Sequence, residues 1–206
     1  MRVRPLTPEA LAAEVVERVA ALPGRVRVAV DGAPAAHPEV LADALVEPLR
    51  VLGRPVARVP AAGFWRPASL RLEHGREDPD AFYEDWLDAG ALAREVLDPL
   101  EAAGPARYLP SLWDPATDRA TRAPYAEAPD GLVVVVDGAL LLGRWLAFDL
   151  AVHLSLSPAA LARRTPPEQA WTLPAYERYA EEVLPDQVAD VVVRADDPRR
   201  PALVEA

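Results

Sequence analysis

The sequence predicts a single α/β domain built on a parallel sheet. Three observations carry that prediction. The run Leu132 to Val136 is an unbroken apolar stretch, the pattern of a strand buried on both faces of a parallel sheet. A second short strand, Val26 to Val30, is followed by Asp31-Gly32 and then by a helical pattern that starts at Pro38 and places Leu41, Ala42 and Leu45 on one face. With 206 residues, of which 51% are hydrophobic, the chain has enough apolar material for one continuous core and is short for two domains.

In chain order, Thr7 reads as an N-cap and Pro8 as a first-turn proline for a helix reaching about Leu22, with Leu11, Val15, Val19 and Leu22 at helical spacing. Pro23-Gly24 ends it. The strand Val26–Val30 and its helix follow, and Pro48 is expected to kink or shorten that helix. Gly53-Arg54 turns the chain into a strand from Pro55 to Val59.

Residues 60–106 are irregular, charged and aromatic. Asp78-Pro79 reads as the cap and first turn of a short helix with Phe82, Tyr83 and Trp86, and Gly90 separates it from a helix spanning Ala91 to Leu100. A connection this long with its own helices is either a lid over a ligand or a surface insert whose aromatics pack on the sheet. Residues 107–126 alternate around Asp114-Pro115-Ala116-Thr117-Asp118, a small hairpin. After the valine-rich strand come a strand from Asp149 to Leu156, a helix from Pro158 through Arg164, a loop from Thr165 to Pro174, a helix from Ala175 to Val183 and a last strand from Ala189 to Val193. The tail from Pro198 reads as a loose end.

Charge and composition narrow the function. A formal net charge of −10 argues against a nucleic-acid or anionic-membrane surface, while leaving room for a small anion held by a few arginines. There is no cysteine, so thiolate chemistry is excluded. The N-terminus lacks an apolar run of signal-peptide length and no run reaches the length of a membrane span, so the expected location is cytoplasmic. The expected partner is a small molecule; the oligomeric state is open.

The segment after the first strand has the frame of a phosphate-binding loop, Gly-x-x-x-x-Gly-Lys-Ser/Thr, which aims backbone N–H groups, a helix N-terminus and a lysine ammonium at phosphates. Counting from Gly32, the second glycine is His37, the lysine is Pro38 and the hydroxyl residue is Glu39. Pro38 brings neither cation nor N–H, and Glu39 brings a carboxylate where a hydroxyl would meet magnesium. The chain contains no lysine anywhere. As local structure these are sound choices, proline in a first helical turn and an acid beside the positive end of the dipole.

The order VAVDG, FWRP (Phe64–Pro67), HGREDPDAFYEDWLD (His74–Asp88), VVVVDGALLL (Val133–Leu142) and LARR (Leu161–Arg164) resembles the uridine kinase-like branch of the P-loop nucleoside kinases, from about Arg25 to Pro198. The resemblance implies a five-stranded parallel sheet flanked by helices, with a helical and hairpin lid insert at about 60–126, and a ligand at the strand C-termini. It also implies a base for the nucleoside hydroxyl two positions before Phe64, where this chain has Ala62. Asp137 holds the acidic position facing the phosphate loop, and Arg163 and Arg164 match the lid arginines. A degenerate phosphate loop and a missing base point to a pseudoenzyme that has lost ATP-dependent phosphotransfer, with no ATP or magnesium cofactor, and keeps a site for a nucleoside-like or anionic ligand.

Candidate ligand-binding residues are Gly32, Phe64, Trp65, Arg66, Arg76, Tyr83, Arg163 and Arg164. Trp86 adds a ring, and stacking with an anion pair is the chemistry those types supply. The alternatives are a repurposed acid/base enzyme in which His37, Glu39 and Asp137 gather with Asp31 at the strand ends, or a divergent active kinase using arginines. The same imidazole and carboxylates could instead form a weak metal site, but no spacing rule fixes a geometry and no metal ligands are assigned; His74 and His153 are assigned no role.

Overall fold

The computed structural model describes residues 2–101 and 103–205. The elements are β1 (Arg2–Pro5), α1 (Pro8–Ala20), β2 (Val26–Asp31), α2 (Pro38–Val51) and β3 (Val56–Pro60). They continue with α3 (Ala68–Arg71), α4 (Pro79–Glu84), α5 (Ala89–Leu92), and the short strands β4 (Arg107–Tyr108), β5 (Trp113–Asp114), β6 (Arg119–Ala120) and β7 (Ala126–Glu127). The chain closes with β8 (Val133–Gly138), β9 (Leu150–Ser155), α6 (Pro158–Arg164), α7 (Leu173–Glu182), α8 (Pro185–Val188), β10 (Val191–Arg194) and β11 (Ala202–Glu205).

The main sheet runs β1-β11-β10-β9-β2-β8-β3. Its five parallel strands, β3, β8, β2, β9 and β10, are the five that the sequence pattern marks. Two more extend it: β11 pairs antiparallel with β10, and β1 pairs antiparallel with β11, Arg2 opposite Glu205. The tail beyond Pro198 is therefore a sheet strand and not a loose end. Arg4 ties the two termini to the first helix, donating from Nε to Glu205 at 2.7 Å and from Nη2 to Glu14 at 2.9 Å.

Strand alternation sends side chains into two cores, one on each face. Val26, Val28, Val30, Val133 and Val135 join Leu11, Val15 and Leu45 beneath α1 and α2. Ala29, Val134, Val136 and Ala151 join Phe64, Leu92, Leu97 and Tyr179 on the insert and α7 face. Thr7 caps α1 by accepting from the Ala10 N–H at 3.2 Å, and Asp78 caps α4 by accepting from the Ala81 N–H at 2.8 Å.

Two local expectations are corrected. Pro48 lies inside α2, which runs on to Val51, so the helix is not shortened there. Gly90 does not separate helices but lies within α5, because the Asp88 carboxylate caps the turn by accepting from the Ala91 N–H at 2.9 Å. The helix then passes through one π turn over Ala93–Leu97 and a 3₁₀ turn over Asp98–Leu100. The hairpin stands as β5 and β6 with Trp113 opposite Ala120. Among the described residues, no helix is long and apolar enough to cross a membrane.

Candidate functional site

The C-terminal ends of β3, β8 and β2 open into a cleft of about 700 Å³ between the loop after β2, the turn after β3 and the segment between α6 and α7. Gly32 begins the loop, its N–H donating to the Gly138 carbonyl at 3.0 Å, and a Cβ there would meet Leu154 Cβ at 3.1 Å. Pro34–Ala36 make one 3₁₀ turn, and His37 follows with φ +58°. His37 thus takes the left-handed backbone that favours glycine. Histidine is among the non-glycine residues that enter this region more readily, at a cost of order 1 kcal/mol.

Pro38 is the first residue of α2 and Glu39 lies in its first turn. His37 Nδ1 and Glu39 Oε1 are 3.0 Å apart, with both side chains about half exposed. The helix start therefore presents a carboxylate and an imidazole paired with each other, and no arginine or lysine.

Asp137, at the end of β8, is buried and engaged from the neighbouring strand. Arg58 Nη2 donates to Asp137 Oδ1, while Arg58 Nη1 donates to Asp43 Oδ1 on α2. Burial pushes the Asp137 carboxyl above its ordinary value, the Arg58 hydrogen bond and charge pull it back, and the Glu39 charge adds to the upward push. His37 pairs with Glu39, and Asp137 with Arg58; the three candidate acid/base residues line one cleft in two separate pairs.

Behind the loop, Asp31 is fully buried and accepts three hydrogen bonds: from the Leu141 N–H at 2.9 Å, from His153 Nδ1 at 2.6 Å and from the Tyr179 hydroxyl at 3.0 Å. Tyr179 also accepts from the Leu142 N–H at 3.0 Å. Burial and the nearby Asp31 charge push the Tyr179 phenol far up, so it acts as a neutral donor. The segment after β8 is thereby clamped to β2, β9 and α7. His153 Nε2 faces a second cavity of about 600 Å³, 3.6 Å from Asp186 Oδ1.

The outer wall of the cleft is aromatic. Phe82 meets Trp86, Trp171 and Tyr176 edge to face at centroid distances of 5.1, 5.7 and 5.8 Å, and Trp65 meets Trp86 at 5.1 Å. Arg71 braces this wall from behind, its guanidinium 4.8 Å from the Trp86 ring centre and 5.5 Å from that of Trp65. At the floor a Cβ on Gly138 would meet Ala61 Cβ at 2.8 Å, so the strand end approaches the turn after β3 as only glycine allows.

The structure distributes the sequence-predicted ligand residues unevenly. Gly32, Trp65 and Arg164 line the cleft, Arg164 also donating to the Ala195 carbonyl at 2.8 Å. Phe64 is fully enclosed in the core, because the 3₁₀ turn over Ala61–Phe64 directs it under the sheet. Tyr83 is buried behind the wall, its hydroxyl donating to Glu182 at 3.1 Å and its ring under Arg178. Arg66 faces Asp85 at 3.4 Å outside the lining, and Arg76 and Arg163 are exposed. Ala62 lines the cleft where the resemblance implies a base.

Sequence reasoning missed Arg144, Trp171 and Tyr176. Trp171 and Tyr176 were visible only as rings in and after a loop, and Arg144 as one arginine after a strand. Arg144 Nε donates to the Leu140 carbonyl at 2.6 Å and Nη2 to the Tyr83 carbonyl, and burial lowers its pKa from the ordinary value.

No protein-family model and no curated protein matches the chain. Solved structures do. A possible uridine kinase from Bacillus stearothermophilus aligns at 22% identity with a TM-score of 0.70, over 88% of this chain and 96% of that one. A protein assigned as a fructose transport system kinase from Silicibacter sp. TM1040 aligns at 26% identity with a TM-score of 0.58, over 89% of this chain and 95% of that one. The chain has the fold of the uridine kinase-like P-loop kinases.

Proposed function

We propose that this protein is a kinase-fold pseudoenzyme: it binds a small nucleoside-like or anionic molecule in the cleft and does not transfer phosphate from ATP. The observation that carries this reading is the start of α2, where Pro38 and Glu39 stand in the positions that supply a cation and a magnesium-binding hydroxyl in a phosphate loop. At an effective dielectric near 20, a unit charge about 4 Å from a phosphate is worth roughly 4 kcal/mol, so losing the ammonium and gaining a carboxylate costs a triphosphate several kcal/mol.

The other acid near this helix start supports the same reading. Asp137 is neutralised internally by Arg58, so it has no need of a divalent cation. The residues present therefore do not fit magnesium triphosphate. Ala62 leaves an acceptor hydroxyl without a base, and general-base assistance is typically worth about 100- to 10,000-fold. What remains is a cleft with an aromatic wall, suited to holding a small molecule.

Radiolabelled phosphate transfer from ATP across a panel of nucleosides and sugars tests the proposal. No transfer above the level without protein is expected. Turnover with any member of the panel would overturn it.

A further inference from the structure

We infer that the cleft takes an aromatic acid, a flat ring bearing a carboxylate, in preference to a ribonucleoside. This rests on the reading of the cleft as a small-molecule site and names its ligand class.

Arg144 is the first reason. It lines the cleft, yet its only hydrogen-bond partners among the described residues are two backbone carbonyls, Leu140 and Tyr83, and no carboxylate pairs with it. A half-buried guanidinium that donates only to neutral oxygens is a cation without a counter-ion, and its Nη1 makes no hydrogen bond to the described protein. Most other arginines near the insert are matched: Arg58 with Asp137, Arg178 with Glu84 and Glu182, Arg66 with Asp85. An incoming carboxylate would meet the fork of Arg144 in the geometry that guanidinium favours.

The second reason is where the remaining polarity lies. Glu39 puts negative charge at the α2 end, which repels an anion from that side of the cleft. Tyr176 lines the cleft with a hydroxyl that makes no hydrogen bond to the described residues, a second donor for a carboxylate. Burial and the Asp31 charge raise its pKa, so it stays protonated.

The third reason is what the stretch from Pro60 to Ala62 lacks for a ribose. The turn after β3 offers Pro60, Ala61 and Ala62 to the cleft, with no side-chain donor or acceptor for a sugar hydroxyl. The opposing wall of Trp65, Phe82, Trp86 and Trp171 offers ring faces and edges, which recognise a flat apolar body.

The test measures binding of three probes to the full chain by quenching of tryptophan fluorescence, with calorimetry as a check: 2-naphthoate, its neutral isostere 2-naphthamide, and uridine. The acid is expected to bind at least about tenfold more tightly than the amide, the worth of one charge-assisted hydrogen bond. It should also bind more tightly than uridine. Arg144→Gln should remove the acid's advantage, lowering the acid's affinity by more than the amide's.

Equal binding of acid and amide, tighter binding of uridine, or no binding of the acid at millimolar concentration overturns the inference, and these comparisons use the unaltered protein. Equal loss of both naphthyl probes in Arg144→Gln overturns the role given to Arg144. Phosphate transfer from ATP is a separate readout: it would overturn the pseudoenzyme reading whichever probe binds.

Discussion

Arg58 and Asp137 form an ion pair that joins two adjacent parallel strands at the mouth of the cleft, and the same guanidinium reaches Asp43 on α2. Arg58 sits opposite Val135 in the β3–β8 register, two residues before the strand end that carries Asp137. The cation that neutralises Asp137 is thus part of the fold. Arg58 Nε is buried and has no hydrogen-bond partner among the described residues, a sign of how closely the side chain is enclosed.

Arg58→Met should destabilise the protein by about 2–4 kcal/mol, because breaking an enclosed pair leaves an uncompensated carboxylate. Arg58→Met combined with Asp137→Leu should lie within about 1 kcal/mol of wild type, since both charges leave together. Urea denaturation measures both. Equal midpoints for the single substitution and the wild type would remove the pair from the account.

The Asp31 network makes a second prediction. Tyr179→Phe deletes one hydroxyl that bonds Asp31 and accepts from the Leu142 N–H. Leaving that buried N–H unsatisfied should cost about 1–3 kcal/mol. His153→Phe removes the donor at 2.6 Å from Asp31 and should cost at least as much, because a buried carboxylate loses a partner. Thermal or urea unfolding compares them, and a neutral Tyr179→Phe would contradict the clamp.

His37→Gly should be neutral to mildly stabilising, up to about 1 kcal/mol. It relieves the left-handed backbone at φ +58°, against the larger entropy of glycine in the unfolded chain. Among the described residues the His37 side chain pairs only with Glu39, at the exposed rim, so the prediction separates a rim residue from one that the fold depends on. A loss above about 1 kcal/mol would assign His37 a structural role absent from this account.

Acid stability depends on Asp149, which accepts from the Arg27 N–H at 2.8 Å and from the Arg27 guanidinium at 3.0 and 2.8 Å. Burial pushes its pKa up, but the hydrogen bonds and charge of Arg27 outweigh that and hold it below the ordinary value. A carboxyl depressed in the folded state adds stability above its unfolded pKa, and that part is lost as pH falls through the folded value. Between about pH 4 and pH 2 the wild type should therefore lose more stability than Asp149→Asn. Parallel loss in the two proteins would contradict the assignment.

The five parallel strands were legible because strands buried on both faces leave near-continuous apolar runs, Val133 to Val136 most clearly. The added strands were not. Arg2–Pro5 and Ala202–Glu205 are four residues each, and they pair across the whole chain length, which no local pattern encodes. At the site, the turn after β2 and the helix start at Pro38 were legible, since both are encoded locally. The Arg58–Asp137 and Asp31–His153 contacts were out of reach for the opposite reason. Each joins residues 79 or 122 positions apart, and a lone arginine or histidine in a strand does not name its partner. Trp171 and Tyr176 reach the cleft only because the segment after α6 folds back over Phe82.

The central claim is that the start of α2 excludes ATP, and calorimetric titration of Mg-ATP into wild type and into a His37→Gly, Pro38→Lys, Glu39→Ser variant tests it most directly. Wild type should show no detectable binding. The folded variant should bind measurably, because backbone donors, helix dipole and a cation then converge on the phosphates. Micromolar binding of Mg-ATP by the wild type, or none by the folded variant, would contradict it.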